Sequence, residues 1–218
     1  MNELPFTLLA DGSSDRVLLP ILKWAVVQQL PDYAVLDGWA DMGQLPQPPK
    51  GLSARVKAAV ELYPCRLLFV HRDAETRSLE ARKREILKAV EEAGIADPPA
   101  VCVVPVRMTE AWLLLDEPAL RMAAGNPSGT TPLALPPAVE SLPDPKSVLH
   151  ELLRSATGLT GRRRDKFRPA LRAQQIPHFM ENISVLRALG AFCAMERDLH
   201  RALCVNLGLP ALRPERSR

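Results

Sequence analysis

Cysteine is scarce in this 218-residue chain, and the little there is lies scattered. Cys65, Cys102, Cys193 and Cys204 form no CxxC pair. That spacing speaks against a zinc ribbon or the disulfide framework of a small secreted domain. Three of the four fall within apolar strand or helix patterns, so they read as reduced core thiols. No stretch approaches the ~20 apolar residues that a membrane span needs. The opening, MNELPFTLLADGSSD, carries an acid at position 3 and an apolar run too short for a secretory signal. Together these absences predict a soluble, cytoplasmic protein with no membrane contact. There is no GxxxxGK[ST] and no GxGxxG, which weakens a small-molecule phosphotransfer reading. There is no internal repeat and no low-complexity tract. Excess charge is also missing: 28 Lys and Arg against 25 Asp and Glu leave a net +3. Bulk charge therefore does not announce nucleic acid, and any basic surface must be local.

What is present can bury a core: 47% of residues are hydrophobic and 24% charged. Strand and helix signals alternate. PFTLLA (5–10), YAVLDG (33–38), RLLFV (66–70) and AVCVVPV (100–106) read as strands. Helical spacing follows the first of them in RVLLPILKWAVVQQL, with an N-cap candidate at Ser13 or Ser14 and Pro20 as a kink or first-turn residue. LSARVKAAVEL, ETRSLEARKREILKAVEEAG and TEAWLLLDEPALRMAAG are the next helices, the last two ending at Gly94 and Gly125. This alternation predicts an α/β fold with a four-stranded, mostly parallel sheet flanked by helices. Residues 1–125 form that domain. Residues 126–146 are a proline-rich surface loop, and 147–218 a helical C-terminal extension that packs on the sheet, ending in a frayed tail, PERSR.

Acids gather where strands leave the sheet. Asp11 ends the first strand in LLADGSSD, and Asp73 and Glu75 end the third in LLFVHRDAE. Open α/β sheets bind ligands at this edge. In a parallel sheet both strand ends lie on one side, so the loops can meet. Three converging carboxylates repel unless a cation sits between them, and such oxygen ligands suit Mg²⁺ or Mn²⁺. For either Asp alone, capping of the following helix is the competing role. Glu110, at the start of a helix after the fourth strand, either lines the same pocket or complements the helix dipole. His71 reads as a buried neighbour of the sheet, Asp15 as a first-turn acid, and Trp112 as core.

The segments LLADGSSD, FVHRDAE, VPVRMTEAWLLLDEPAL and LPDPKSVLHELL, taken in order, resemble the TOPRIM domain of topoisomerases, primases and OLD-type nucleases. They are closer to a TOPRIM-like family of small stand-alone proteins encoded beside AAA or ABC-type ATPases. The resemblance covers about residues 6–155. It implies a Mg²⁺-dependent nuclease hydrolysing phosphodiesters of DNA or RNA, a partner ATPase, and a role in prokaryotic defence against phage. By the same resemblance Asp11 is the general base or a metal ligand, and Asp73 and Glu75 are metal ligands. The family pattern carries Glu where this chain has Asp11, and Asp-x-Asp where it has Asp73-Ala74-Glu75. The alternative implied by those departures is a catalytically inactive scaffold or regulatory module docking on the ATPase. An oligomer is compatible with either.

GRRRDKFR, residues 161–168, is the densest basic run, with Arg162, Arg163, Arg164, Lys166 and Arg168. Clustered arginines suit phosphate, and nucleic acid is the expected partner. Arg72 and Lys146 are the further candidates for an anionic substrate.

Overall fold

The structure, a computed structural model, describes residues 2–207; the PERSR tail lies outside them. Four strands form one sheet: β1 (Asn2–Leu9), β2 (Tyr33–Trp39), β3 (Leu67–His71) and β4 (Ala100–Val103). All neighbours are parallel and the order is β2-β1-β3-β4. The nine helices among the described residues are α1 (Leu19–Gln29), α2 (Leu52–Leu62), α3 (Leu79–Glu92), α4 (Glu117–Ala124), α5 (Pro145–Ala156), α6 (Gly161–Asp165), α7 (Pro169–Ala173), α8 (Ile176–Phe179) and α9 (Gly190–Leu207). The α/β sheet flanked by helices is as the alternation predicts.

Strand alternation builds two cores, one on each face of the sheet. Leu67 and Phe69 of β3 join Leu4, Phe6 and Leu8 of β1 and Val101 and Val103 of β4 in the larger cluster. Leu68 and Val70 point to the other face, with Leu9, Cys102 and residues of α2 and α3. β3 is buried along its whole length because helices cover both faces. The larger cluster also takes in Leu149 and Leu153 of α5 and Phe192 and Leu199 of α9. The C-terminal helices thus share the sheet's core.

Several boundaries differ from the sequence expectation. β1 begins at Asn2 because its first residues pair with Tyr33 to Val35. Ser13 and Ser14 cap nothing: a 3₁₀ turn, Ser13–Leu18, starts at Gly12 without a side-chain cap, and α1 takes Pro20 in its first turn. β4 stops at Val103, two residues before Pro105, whose nitrogen cannot donate. The segment after Met108 is two pieces. A 3₁₀ turn, Thr109–Leu113, precedes α4, where Asp116 caps by accepting from the Ala119 amide at 2.9 Å. RDKFRPALRAQQ likewise breaks at Pro169 into α6 and α7. No helix among the described residues is long and apolar enough to cross a membrane.

Trp112 is fully buried and meets Phe192 edge-to-face, with ring centroids 5.2 Å apart. This contact fastens α9 to the turn after β4. Trp112→Ala is expected to lower unfolding free energy by about 3–5 kcal/mol. Leu171→Ala, at an exposed position, should stay within about 0.5 kcal/mol. Urea unfolding followed by circular dichroism measures both. Equal midpoint shifts for the two would show that the α9 contact is not part of the cooperative core.

Candidate functional site

The strand order reverses direction between β1 and β3, and the crevice at their C-terminal ends is where such sheets take ligands. Alternation along β3 splits the residues there. His71 follows Leu67 and Phe69 toward the α1 side, whereas Arg72 turns toward α2 and α3.

On the α1 side His71 is 1% exposed and lies between two carboxylates. Nδ1 faces Asp15 Oδ2 at 3.5 Å, an ion pair without a well-formed hydrogen bond. Nε2 lies 3.0 Å from Thr109 Oγ1 and 3.3 Å from Asp73 Oδ1. Thr109 in turn donates to Asp73 Oδ1 through its hydroxyl at 3.1 Å and its amide at 2.8 Å. A protonated ring satisfies this arrangement at both nitrogens. Burial opposes the charge, but the hydrogen bonds and charges of Asp15 and Asp73 outweigh it and push the His71 pKa up to about 9. Asp15 is affected reciprocally. Burial works against its ionisation, yet His71 and the Gly12 amide, donating at 3.0 Å, hold its carboxyl below the usual range. A buried imidazolium of this kind does not serve as a general base at neutral pH. It acts as a charged strut between the β1 loop and the β3 end.

On the opposite side Asp11 accepts from Arg55 Nη1 at 2.7 Å and from Arg72 Nε at 3.0 Å. Arg72 also bonds Glu85, which binds Arg77 and Arg82. Arg82, itself buried, closes the chain by donating to Glu75 at 2.8 Å. Glu75 has φ 54° and Arg107 φ 65°, both left-handed without being glycine. The two are joined: the Glu75 amide donates to the Arg107 carbonyl at 2.9 Å, and Arg107 Nη1 to the Glu75 carbonyl at 3.4 Å. Two such residues side by side store strain that the surroundings must hold.

The third element is the turn Thr109–Leu113. Glu110 on it is mostly buried and accepts from Lys146 Nζ at 3.0 Å. Lys146 is half exposed and sits in the first turn of α5, whose cap, Asp144, accepts from the Ser147 amide at 2.9 Å. Glu110 raises the Lys146 pKa most, against a smaller effect of burial, and Asp73 and Asp15 add to the rise. These three carboxylates, from three elements, therefore act on one ammonium.

The expected metal ligands Asp11, Asp73 and Glu75 stand apart in this conformation. Asp11 and Glu75 lie within the arginine chain, Asp73 beside His71 and Thr109. Among the described residues no three His, Cys, Asp or Glu side chains are grouped closely enough to hold a metal ion. Lys146 contacts Glu110 alone, while the charges of Asp73 and Asp15 reach it at longer range. Asp15 and His71 gain a weight that their sequence positions did not suggest. The available signal was the period of two along LLFVH, which puts His71 on the face that Asp15 shares. Of the basic run, Arg164 bonds Glu151, while Arg162, Arg163, Lys166 and Arg168 are exposed and have no ion pair among the described residues. No protein-family model matches the chain, and no significant match was found among curated proteins or solved structures.

The raised His71 pKa fixes a sign. Its contribution to stability is full below the unfolded value of about 6.5 and is lost as pH rises through about 9. Unfolding free energy should fall across that window by on the order of 3 kcal/mol. His71→Gln should flatten the fall, and urea titrations at stepped pH measure it. A wild-type curve as flat as the variant's would mean that the ring is neutral.

Proposed function

We propose that this chain is a TOPRIM-like, divalent-metal-dependent phosphodiesterase acting on DNA or RNA, and that it works beside a partner ATPase in defence against phage. The observation supporting the reading is the set of carboxylates gathered by the loops after β1, β3 and β4: Asp15 and Asp73 flank His71, and Glu110 pairs with Lys146. Asp15, Asp73 and Glu110 would hold Mg²⁺ or Mn²⁺ after Lys146 leaves Glu110 and the three loops close further on the ion. When bound, such an ion supplies Lewis-acid stabilisation of phosphodiester charge and lowers the pKa of a bound water.

The chain's own residues set the rest. Thr109 fixes the rotamer of Asp73 through two hydrogen bonds to Oδ1, leaving Oδ2 without a partner among the described residues. His71 prevents Asp15 and Asp73 from repelling one another by holding a positive charge between them. Lys146, half exposed, is long enough to leave Glu110 and meet a phosphate. Arg72 and Arg55 both engage Asp11, so Asp11 supports the crevice wall in this conformation.

A second reading is favoured by one observation: every carboxylate at this edge has a cationic neighbour within the chain. A crevice neutralised this way needs no metal, and the module would then be a scaffold that docks on the ATPase.

Incubation of the purified protein with plasmid, single-stranded DNA and RNA in Mg²⁺ or Mn²⁺ separates the two. Cleavage lost in EDTA and lowered at least about a hundredfold by Asp73→Asn is expected, the scale of losing a group aimed at transition-state charge. Calorimetry gives a readout independent of activity. Lys146→Ala should tighten Mn²⁺ binding by removing the competing cation, and Asp73→Ala should weaken it. No cleavage of any substrate, with no Mn²⁺ binding by either wild type or Lys146→Ala, would establish the scaffold.

A further inference from the structure

A groove of about 410 Å³ runs along α6 and α7. Arg163, Lys166, Arg168 and Arg172 line it, together with the ring of Phe167 and the exposed Leu171. No acid lines it. Arg163, Lys166 and Arg168 have no ion pair among the described residues, so their charge is not spent internally. One contact ties the end of α7, next to the groove-lining Gln175, to the loop after β1. Gln174, just after α7, donates through Nε2 to the Ser14 carbonyl at 2.9 Å, and Ser14 precedes Asp15.

We propose that this groove binds the backbone and one or more unstacked bases of a single-stranded nucleic acid and leads the strand toward the β1/β3 crevice. The proposal rests on the phosphodiesterase reading for the strand's destination, but the binding itself does not. Four cations lining one groove suit a polyphosphate backbone. Phe167 in the wall offers a ring on which a base can stack, and Leu171 beside it adds apolar contact. A duplex keeps its base faces covered by their neighbours, so it cannot reach a ring in a recess. An acidic peptide would satisfy the cations and leave the ring without use, which is why nucleic acid is favoured.

Fluorescence anisotropy in EDTA tests the groove apart from any cleavage. The probes are a labelled oligothymidylate of about twelve nucleotides, within the ~4–16 that one such groove covers, and a duplex of the same length. The single strand should bind about tenfold tighter or more. Arg163→Ala with Arg168→Ala should flatten the log K against log[salt] slope by about 1.4, or ~0.7 for each lost single-strand contact. Phe167→Leu keeps an apolar side chain against the core but removes the stacking face. It should weaken binding about five- to a hundredfold, the worth of one stacked base, with an unchanged salt slope and an unchanged thermal midpoint. Equal affinity for the duplex, or no effect of Phe167→Leu, would overturn the proposal. So would displacement of the strand by polyglutamate at matched charge, which would assign the groove to an acidic protein surface. Strand binding without cleavage would leave the groove standing and remove the phosphodiesterase. Cleavage without strand binding by these residues would do the reverse.

Discussion

The crevice depends on one buried charge. His71 ends the central strand, where no water reaches it, and it carries its proton only because Asp15 and Asp73 lie on either side. Remove that proton and two carboxylates face each other across a dry gap, in a medium where like charges repel far more strongly than in water. Remove the carboxylates and the imidazolium has nothing to offset its desolvation. The three groups stabilise one another as a set. Because Asp15 comes from the loop after β1, Asp73 from the end of β3, and Thr109 from the turn after β4, this set fixes three loops relative to one another. The Lys146–Glu110 pair is then positioned by what that turn carries.

The same alternation that makes the core makes the division at the strand end. Odd positions of β3 lead to His71 and its acids, and the next residue, Arg72, leads to Asp11 and Glu85. Two charge networks of opposite design result. One is acid-rich around a single half-exposed ammonium; the other is arginine-rich and closed on itself from Arg55 to Glu75. An exposed pair of the second kind contributes little to stability. Linked through the buried Arg82 to a Glu75 held at positive φ, however, the chain keeps the β3 loop in a shape that its own backbone would not choose.

How much of this the sequence carried depends on the length of the pattern involved. The four strands were legible because each is a run of apolar residues bounded by turn chemistry, and the parallel order follows from the intervening helices. The crevice edge was legible too, since Asp11 and Asp73 sit at strand ends. The pairing of individual charges was not. Spacing alone places Asp11, Asp73 and Glu75 together; the pleat, acting over one residue, sends their neighbours to opposite faces. Arg55 and Arg82 come from helices whose rotation about the sheet cannot be read from their own periodicity. Lys146 was legible as a lysine in DPK but not as the partner of Glu110, thirty-six residues earlier, because a proline-rich loop of irregular backbone lies between them. The helix breaks at Asp116 and Pro169 were written in the sequence as cap and proline chemistry, which the continuous apolar spacing masked.

The C-terminal helices supply what the sheet lacks. A four-stranded parallel sheet with helices on both faces has an open crevice but few cations of its own near it that are not already engaged by acids. α5 brings Lys146 to that crevice, and the contact of Gln174 with Ser14 sets the next basic segment against its rim. Both depend on the shared core: Leu149 and Leu153 of α5, Ala173 of α7 and Phe192 of α9 belong to the same buried cluster as β1 and β3. An extension that folded as a separate unit could not hold a lysine within 3.0 Å of Glu110, because interfaces between independent units are smaller and more mobile than a common core. The positioning of this cation is thus a consequence of packing, and its partial exposure a consequence of its place on the first turn of α5.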